Sequence, residues 1–249
     1  MSCVVDESAG GLNSVPEMGT QIRHHEDGVR IEENGCVLCE LPRSPGATHS
    51  VWDVLACAVR LFAPGSRMAM LGFAGGGMVG AMRAIGCEQE VEGVDLWVEG
   101  FEVFRKIAAD WSGAVRFHPE DAVAWMRRQR PLFDVIVEDL SVPLEGDVVK
   151  PGASWIDLPP LMRKRVKKSG VVISNLLPTP GISWDDLIAA SRVGPGVVVE
   201  FESYYNRILI QGSGVGGARS CGYRLRKLMR LLGSNLTDDI RLRTLQGAH

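Results

Sequence analysis

Apolar residues recur along this chain in two alternating rhythms. Short continuous apolar runs are followed by stretches where apolar positions return every three or four residues, the marks of buried strand and amphipathic helix. The run VLACAVRLF is helical; Ser50-Val51-Trp52-Asp53 before it has the form of a capping box, and Pro64-Gly65 closes it. The pattern then predicts a strand at Arg67–Leu71, a helix at about Gly76–Ile85, a strand at Glu90–Asp95 and a helix at Val98–Ala109. A strand at Ala114–Phe117, a helix at Pro119–Gln129 and a strand at Phe133–Glu138 follow. Ser154–Lys168 is helical but interrupted by Pro159-Pro160. GVVISNLL is a further buried strand, and Ser183-Trp184-Asp185-Asp186 starts another helix.

Strands alternating with helices of this length predict an α/β fold, a doubly wound, mostly parallel sheet with helices on both faces. The end of the pattern differs. GVVVEF and RILIQG are separated only by ESYYN, too short for a crossover helix, so the sheet closes with a late antiparallel hairpin. Residues 1–25 are polar and aperiodic, with Gly10-Gly11 and His24-His25, and read as a flexible tail. VRIEENGCVLCEL reads as two short strands around Asn34-Gly35, a small N-terminal β-hairpin over residues 26–47. The α/β domain then spans 48–215. Residues 216–249 are expected to form two basic helices, at about Tyr223–Leu232 and Thr237–Thr244.

At 249 residues the chain can bury a full core without staples. Its formal net charge of −3 gives no overall field for nucleic acid. The C-terminal segment is locally basic: Leu225, Leu228, Met229 and Leu232 share one helical face, leaving the arginines to solvent, to an anionic partner or to a second subunit in a homodimer. No basic-then-apolar leader opens the sequence, and no uncharged apolar run reaches the roughly 18 residues of a membrane span. The six cysteines contain one CxxC pair, Cys36 and Cys39, on a strand-like run where positions i and i+3 face opposite ways. Reduced thiols in a cytoplasmic protein are expected, and no metal site.

The candidate chemistry lies in MLGFAGGGMVGAMRAIG, where the first strand of the sheet turns into a helix. In an open parallel sheet, ligands bind beyond the carboxyl ends of the strands, at the switch point. Gly75-Gly76-Gly77-Met78-Val79-Gly80 matches the dinucleotide fingerprint GxGxxG but begins late, because Gly72 already ends the strand. The competing ligands are nucleoside sulfonium compounds, which carry no phosphate. They need room for an amino-acid or aminopropyl arm, an acid for the ribose hydroxyls and an acid for the adenine amine. Asp95 ends the second strand, Asp121 follows the third, and Asp139 ends the fourth. The lesser alternatives are a helix cap for Asp95 and a first-turn helix acid for Asp121.

From Val29 to about Gly212 these residues resemble the spermidine synthase family, a branch of the class I methyltransferase-like fold. Gly72-Phe73-Ala74-Gly75-Gly76-Gly77 is similar to the family's Gly-Gly-Gly-Asp-Gly-Gly motif, with Asp95 at the expected spacing. PEDAVAWM resembles its adenine motif, with Asp121 and Ala122 in register, and FDVIVEDLSVP resembles its Asp-Xaa-Xaa-Asp-Pro loop, with Asp139 on the first acid and Pro143 on the proline. The resemblance implies a cofactor site of Gly72, Phe73, Gly75, Gly76, Asp95, Leu96, Asp121 and Ala122, with Asp139 as the base on the acceptor.

Three departures stand out. Gly75 replaces the acid of the glycine motif and Val142 replaces the second loop acid; in the family these acids hold the cationic arm and the polyamine. The family's tyrosine after the hairpin is also missing, with Val51 or Trp52 near its place. An aspartate at position 75 would repel the carboxylate of intact S-adenosylmethionine by about 4 kcal/mol at about 4 Å and an effective dielectric near 20. Its absence favours S-adenosylmethionine over the decarboxylated form. The expected function is an S-adenosylmethionine-dependent transferase, methylating or alkylating a small acceptor such as an amine. An aminopropyltransferase of polyamine biosynthesis and a non-catalytic binding module of the same fold are the alternatives.

Overall fold

The computed structural model describes residues 20–33, 35–144 and 147–245. Strands β1 (Thr20–His25), β2 (Gly28–Glu33) and β3 (Cys36–Pro42) form an antiparallel sheet in that order. Residues 20–25, expected within the tail, form a strand instead, so the hairpin gains a third strand. β1 lies at the edge of its sheet with most of its residues exposed, so it carries no apolar alternation. Backbone pairing holds it, with ion pairs such as Arg23–Glu32 at 3.2 Å. Asn34, the first residue of the predicted turn, lies outside the described residues, as do residues 1–19.

Helix α1 (Val51–Phe62) starts where the capping pattern places it. The Ser50 hydroxyl accepts from the Trp52 amide. The Asp53 carboxylate accepts from the amides of Thr48 at 2.7 Å and His49 at 3.0 Å, drawing the incoming chain onto the helix start. Then come β4 (Arg67–Leu71), α2 (Gly77–Ala84), β5 (Glu90–Asp95), α3 (Val98–Ile107), β6 (Val115–Pro119), α4 (Ala122–Arg128) and β7 (Phe133–Glu138). A small hairpin follows, of β8 (Val142–Leu144) and β9 (Asp147–Val149). The segment read as one interrupted helix is two short ones, α5 (Ala153–Ile156) and α6 (Leu158–Arg165), with prolines in the first turn of the second. Then β10 (Val166–Leu176), α7 (Trp184–Ala190), β11 (Gly196–Phe201), β12 (Arg207–Gln211), α8 (Ala218–Leu232) and β13 (Ile240–Thr244) complete the chain.

The central sheet runs β13-β11-β12-β10-β7-β4-β5-β6. β10, β7, β4, β5 and β6 are parallel, while β12 runs antiparallel to both of its neighbours. The order reverses between β4 and β7. Alternate side chains of the central strands enter two cores: Met68, Met70, Val135 and Val137 face one, and Ala69, Leu71 and Ile136 face the other. The first core also takes Val29, Ile31, Cys39 and Leu41, which ties the N-terminal sheet to the domain.

The second C-terminal helix predicted from the pattern is instead β13, which pairs with β11. Ile240 is buried and Leu242 half-buried, while the arginines between face out, a period of two rather than of a helix. α8 does dock as an amphipathic helix, burying Cys221, Leu225 and Met229. Two of its arginines serve that docking. Arg224 donates to the Leu61 carbonyl and lies over the Phe62 ring, and Arg226 donates to the Ile240 carbonyl. Among the described residues, no helix is long and apolar enough to cross a membrane.

Candidate active site

The carboxyl ends of β4, β5, β7 and β10 open into one cavity of about 240 Å³. The glycine turn forms its floor. Gly72 has φ +88°, and a Cβ there would stand 2.6 Å from the Asp139 carbonyl, so this position admits only glycine. The Gly72 amide donates to the Val94 carbonyl, and the Asp139 amide donates to the Leu71 carbonyl. The three strand ends that carry the candidate chemistry are thereby locked together.

Asp95 ends β5. Its Oδ2 accepts from the Ala74 amide at 2.7 Å and its Oδ1 from the Trp97 amide at 3.0 Å. The carboxylate thus fixes the glycine turn and the start of α3. Each oxygen keeps a further acceptor site. Trp97 lines the cavity beside it. Phe73 also borders the cavity, but its ring packs edge-on against Phe104 and Phe117 in the core.

Asp139 ends β7. Its Oδ2 accepts from the Trp52 indole N–H at 2.9 Å, and its Oδ1 from Asn175 Nδ2 at 2.7 Å. Burial pushes its pKa above the ordinary carboxylate range, opposed by the Lys150 charge and these two hydrogen bonds. Neighbouring Glu138 points to the other side of the strand, as alternation predicts. It is fully buried against Lys150 Nζ at 2.7 Å, and the Ser154 hydroxyl donates to the same oxygen at 2.8 Å. Lys150 Nζ also donates to the Leu140 carbonyl at 2.6 Å, so the pair braces the loop after Asp139.

The structure gathers Gly72, Phe73, Asp95 and Asp139 around the cavity, with Pro143 at its rim. It does not gather the rest of the expected site. Asp121 is the exposed N-cap of α4, its Oδ1 accepting from the Ala124 amide at 2.8 Å, and Ala122 is buried in the second core. Leu96 is 73% exposed. Gly76 caps α2 with φ +68° and packs under Phe73 and Phe104.

Gly75 is not among the residues that line the cavity. A Cβ there would meet Ile31 Cδ1 at 2.5 Å and Cys39 Sγ at 2.9 Å. Side chains of the N-terminal sheet stand where a Cβ at position 75 would go. Cys39 lines the cavity and its sulfur accepts from the Gly77 amide at 3.2 Å. Burial pushes that thiol up to about 12, so it is no thiolate near neutral pH. Tyr204 and Tyr205 stand outside the cavity; the Tyr204 hydroxyl donates to the His49 carbonyl at 3.3 Å.

Two site residues, Asn175 and Asn206, escape sequence reasoning, and only nearness to the missing tyrosine points to Trp52. Asn175 follows an apolar run at the carboxyl end of β10, a position where a polar side chain is itself a signal. Asn206 precedes β12. Because β12 runs antiparallel to β10, its first residues lie at the same sheet edge as the ends of the parallel strands.

No protein-family model matches the chain, and no curated protein sequence matches it. Solved structures do. A probable spermidine synthase from Corynebacterium glutamicum aligns with a TM-score of 0.70 at 16% identity, over 92% of this chain and 91% of that one. A spermidine synthase in complex with the transition state analogue AdoDATO aligns with a TM-score of 0.59 at 14% identity, over 87% of this chain and 75% of that one. Human methyltransferase-like protein 13, in complex with SAH, aligns with a TM-score of 0.55 at 16% identity, over 79% of this chain and 92% of that one. The chain therefore shares the class I methyltransferase-like α/β fold of these proteins.

Proposed function

We propose that this protein is an S-adenosylmethionine-binding transferase acting on a small acceptor. The observation that carries the reading is the convergence of Asp95, Gly72 and Asp139 on one cavity at the switch point of the sheet. The donor set fits the cofactor. Asp95 spends one acceptor site per oxygen on the Ala74 and Trp97 amides and keeps the others for a vicinal diol. Gly72 leaves the floor of the cavity free of a side chain. Neighbours of this fold bind SAH or AdoDATO, the same nucleoside chemistry.

When bound, S-adenosylmethionine supplies a carbon already activated by its sulfonium. The chain then has to align the acceptor, exclude water and take one proton. Asp139 is the residue for the proton: it lies in the cavity, its pKa is raised by burial, and each of its oxygens keeps an acceptor site beside its Trp52 or Asn175 hydrogen bond. Asp95 and Asp139 are the acids among the cavity's described residues, and position 75 offers no third. A cationic aminopropyl arm finds no dedicated carboxylate here, and the carboxylate of intact S-adenosylmethionine meets no like charge at position 75.

Calorimetry with intact and decarboxylated S-adenosylmethionine tests the assignment. The intact compound is expected to bind at least as well. A preference of about a hundredfold or more for the decarboxylated compound, on the order of 2.7 kcal/mol, overturns it in favour of aminopropyl transfer. Binding without turnover of labelled cofactor against a metabolite pool identifies a binding module instead.

A further inference from the structure

Asp139, Asn175 and Asn206 form a hydrogen-bonded line whose polarity is set at one end. Asp139 is a carboxylate and can only accept, so Asn175 must turn its amino group towards it; Asn175 Nδ2 donates to Asp139 Oδ1 at 2.7 Å. That leaves the Asn175 carbonyl oxygen for Asn206, whose Nδ2 donates to it at 2.9 Å. The order then forces the Asn206 carbonyl oxygen to the far end. That oxygen is buried and has no hydrogen-bond partner among the described residues. Asn206 is 2% exposed, yet it lines the cavity with Trp52, Asp139 and Asn175. An unpaired buried carbonyl costs roughly what a lost hydrogen bond costs, and such orphans in folded proteins call for a partner.

We propose that Asn206 is a specificity-determining residue of the acceptor site, its Oδ1 receiving an N–H or O–H of the acceptor. This inference rests on the transferase reading above. Asp139 and Asn206, both among the residues lining the cavity, are then the two acceptors joined through the fixed amide of Asn175. An acceptor molecule is selected for carrying hydrogen-bond donors and not for positive charge alone. A cation without N–H groups satisfies Asp139 electrostatically and leaves Asn206 unpaired. A site built around such a donor rejects an analogue that lacks it more strongly than its size alone would suggest.

Binding of two probes of equal charge separates these contributions: 1,4-diaminobutane, and its hexamethyl bis-quaternary counterpart, which has no N–H. The neutral 1,4-butanediol serves as a third probe. All are titrated calorimetrically into the full chain saturated with S-adenosylhomocysteine, whose own binding is measured first. The wild type is expected to bind the diamine at least tenfold more tightly than the quaternary probe. Asn206→Leu, close in size but without the amide, is expected to lower that preference by about fivefold or more while keeping its affinity for S-adenosylhomocysteine. A preference undiminished in Asn206→Leu is steric or belongs to Asp139 and overturns the proposal. So does a wild type that binds neither the diamine nor the diol. Failure to bind S-adenosylhomocysteine at all sinks the transferase reading instead. If Asn206→Leu does not fold, a crystal structure of the wild type with the diamine decides. A nitrogen within hydrogen-bond distance of Asn206 Oδ1 supports the assignment, and an ordered water there overturns it.

Discussion

The Trp52 indole N–H donates to Asp139 Oδ2 at 2.9 Å, joining the second residue of α1 to the end of the fourth parallel strand. The contact stabilises the ionised carboxylate in a setting where burial opposes ionisation. Trp52→Phe keeps the packing and removes the donor. The Asp139 pKa is then expected to rise further, so the acid limb of the rate–pH profile moves to higher pH. Loss of a charge-assisted hydrogen bond of roughly 1.5–3 kcal/mol is expected to reduce the neutral-pH rate by about tenfold or more. A profile unchanged in Trp52→Phe contradicts a functional role for the contact.

Asp139→Asn removes the base itself. A rate loss of about a hundredfold or more is expected, with cofactor affinity little changed. The linkage has a definite direction. Burial raises the folded pKa, so the stability this group contributes is fully present below its unfolded pKa and is lost as pH rises through the folded one. The melting temperature of Asp139→Asn, measured relative to wild type, is therefore expected to improve as pH rises from about 4 to 7. If the rate survives and cofactor affinity falls, Asp139 is a binding residue.

Asp95 does structural and binding work at once. Asp95→Ala strips the Ala74 and Trp97 amides of their acceptor, so it should loosen the glycine turn as well as remove the ribose contact. Asp95→Asn keeps one carbonyl acceptor and separates the two effects. Both variants are expected to lose S-adenosylhomocysteine affinity, at roughly 1.5–3 kcal/mol per charge-assisted bond. The loss in melting temperature should be larger in Asp95→Ala. Unchanged calorimetric affinity in a folded Asp95→Asn protein would place the nucleoside elsewhere.

Much of this arrangement is legible in the sequence where burial is complete. Arg67–Leu71, Glu90–Asp95 and Phe133–Glu138 are central strands, and their predicted bounds match. In Arg67–Leu71 and Phe133–Glu138 alternate residues enter cores on both faces, so the apolar run is nearly continuous and its ends are sharp. β1 has no such signal, since an exposed edge strand is held by backbone pairing. β13 had one: Ile240 and Leu242 alternate with arginines, a period of two that the surrounding basic helix pattern obscured. Site residues on strand ends, Asp95 and Asp139, follow from topology. Asn175 and Asn206 meet only through the antiparallel insertion of β12, which composition cannot place. The sequence neighbourhood of Asp121 suits a helix cap as well as an adenine contact, and its Oδ1 takes the capping bond.

Position 75 separates a charge argument from a space argument. If only charge mattered, Gly75→Asp would turn the protein towards decarboxylated S-adenosylmethionine. The Cβ would instead meet Ile31 and Cys39, both buried in the core. Overpacking of this kind costs about 1–3 kcal/mol, and a buried unpaired carboxylate adds to it. A lower melting temperature is expected, with no gain in affinity for the decarboxylated compound. A stable Gly75→Asp protein that prefers that compound would mean that the N-terminal sheet yields and that charge alone sets cofactor choice.

The pair behind Asp139 makes the last prediction. Glu138 and Lys150 are both fully buried, and Lys150 Nζ bridges the Glu138 carboxylate and the Leu140 carbonyl. Such a pair contributes little net stability against an apolar substitute, but breaking it strands a charge. Lys150→Met is expected to cost about 3–5 kcal/mol at neutral pH. Burial already raises the Glu138 pKa, and the Lys150 charge is the largest influence pulling it back. Without that charge the folded pKa rises further, so the deficit of Lys150→Met should shrink as pH falls and Glu138 takes up a proton. The double variant Glu138→Gln/Lys150→Met should recover much of the loss at neutral pH, because no stranded charge remains. Thermal melts of the wild type and both variants between about pH 5 and 8 measure these differences. A deficit in Lys150→Met that stays constant across that range would mean that the lysine acts through packing and its bond to Leu140, with Glu138 already protonated in the native protein.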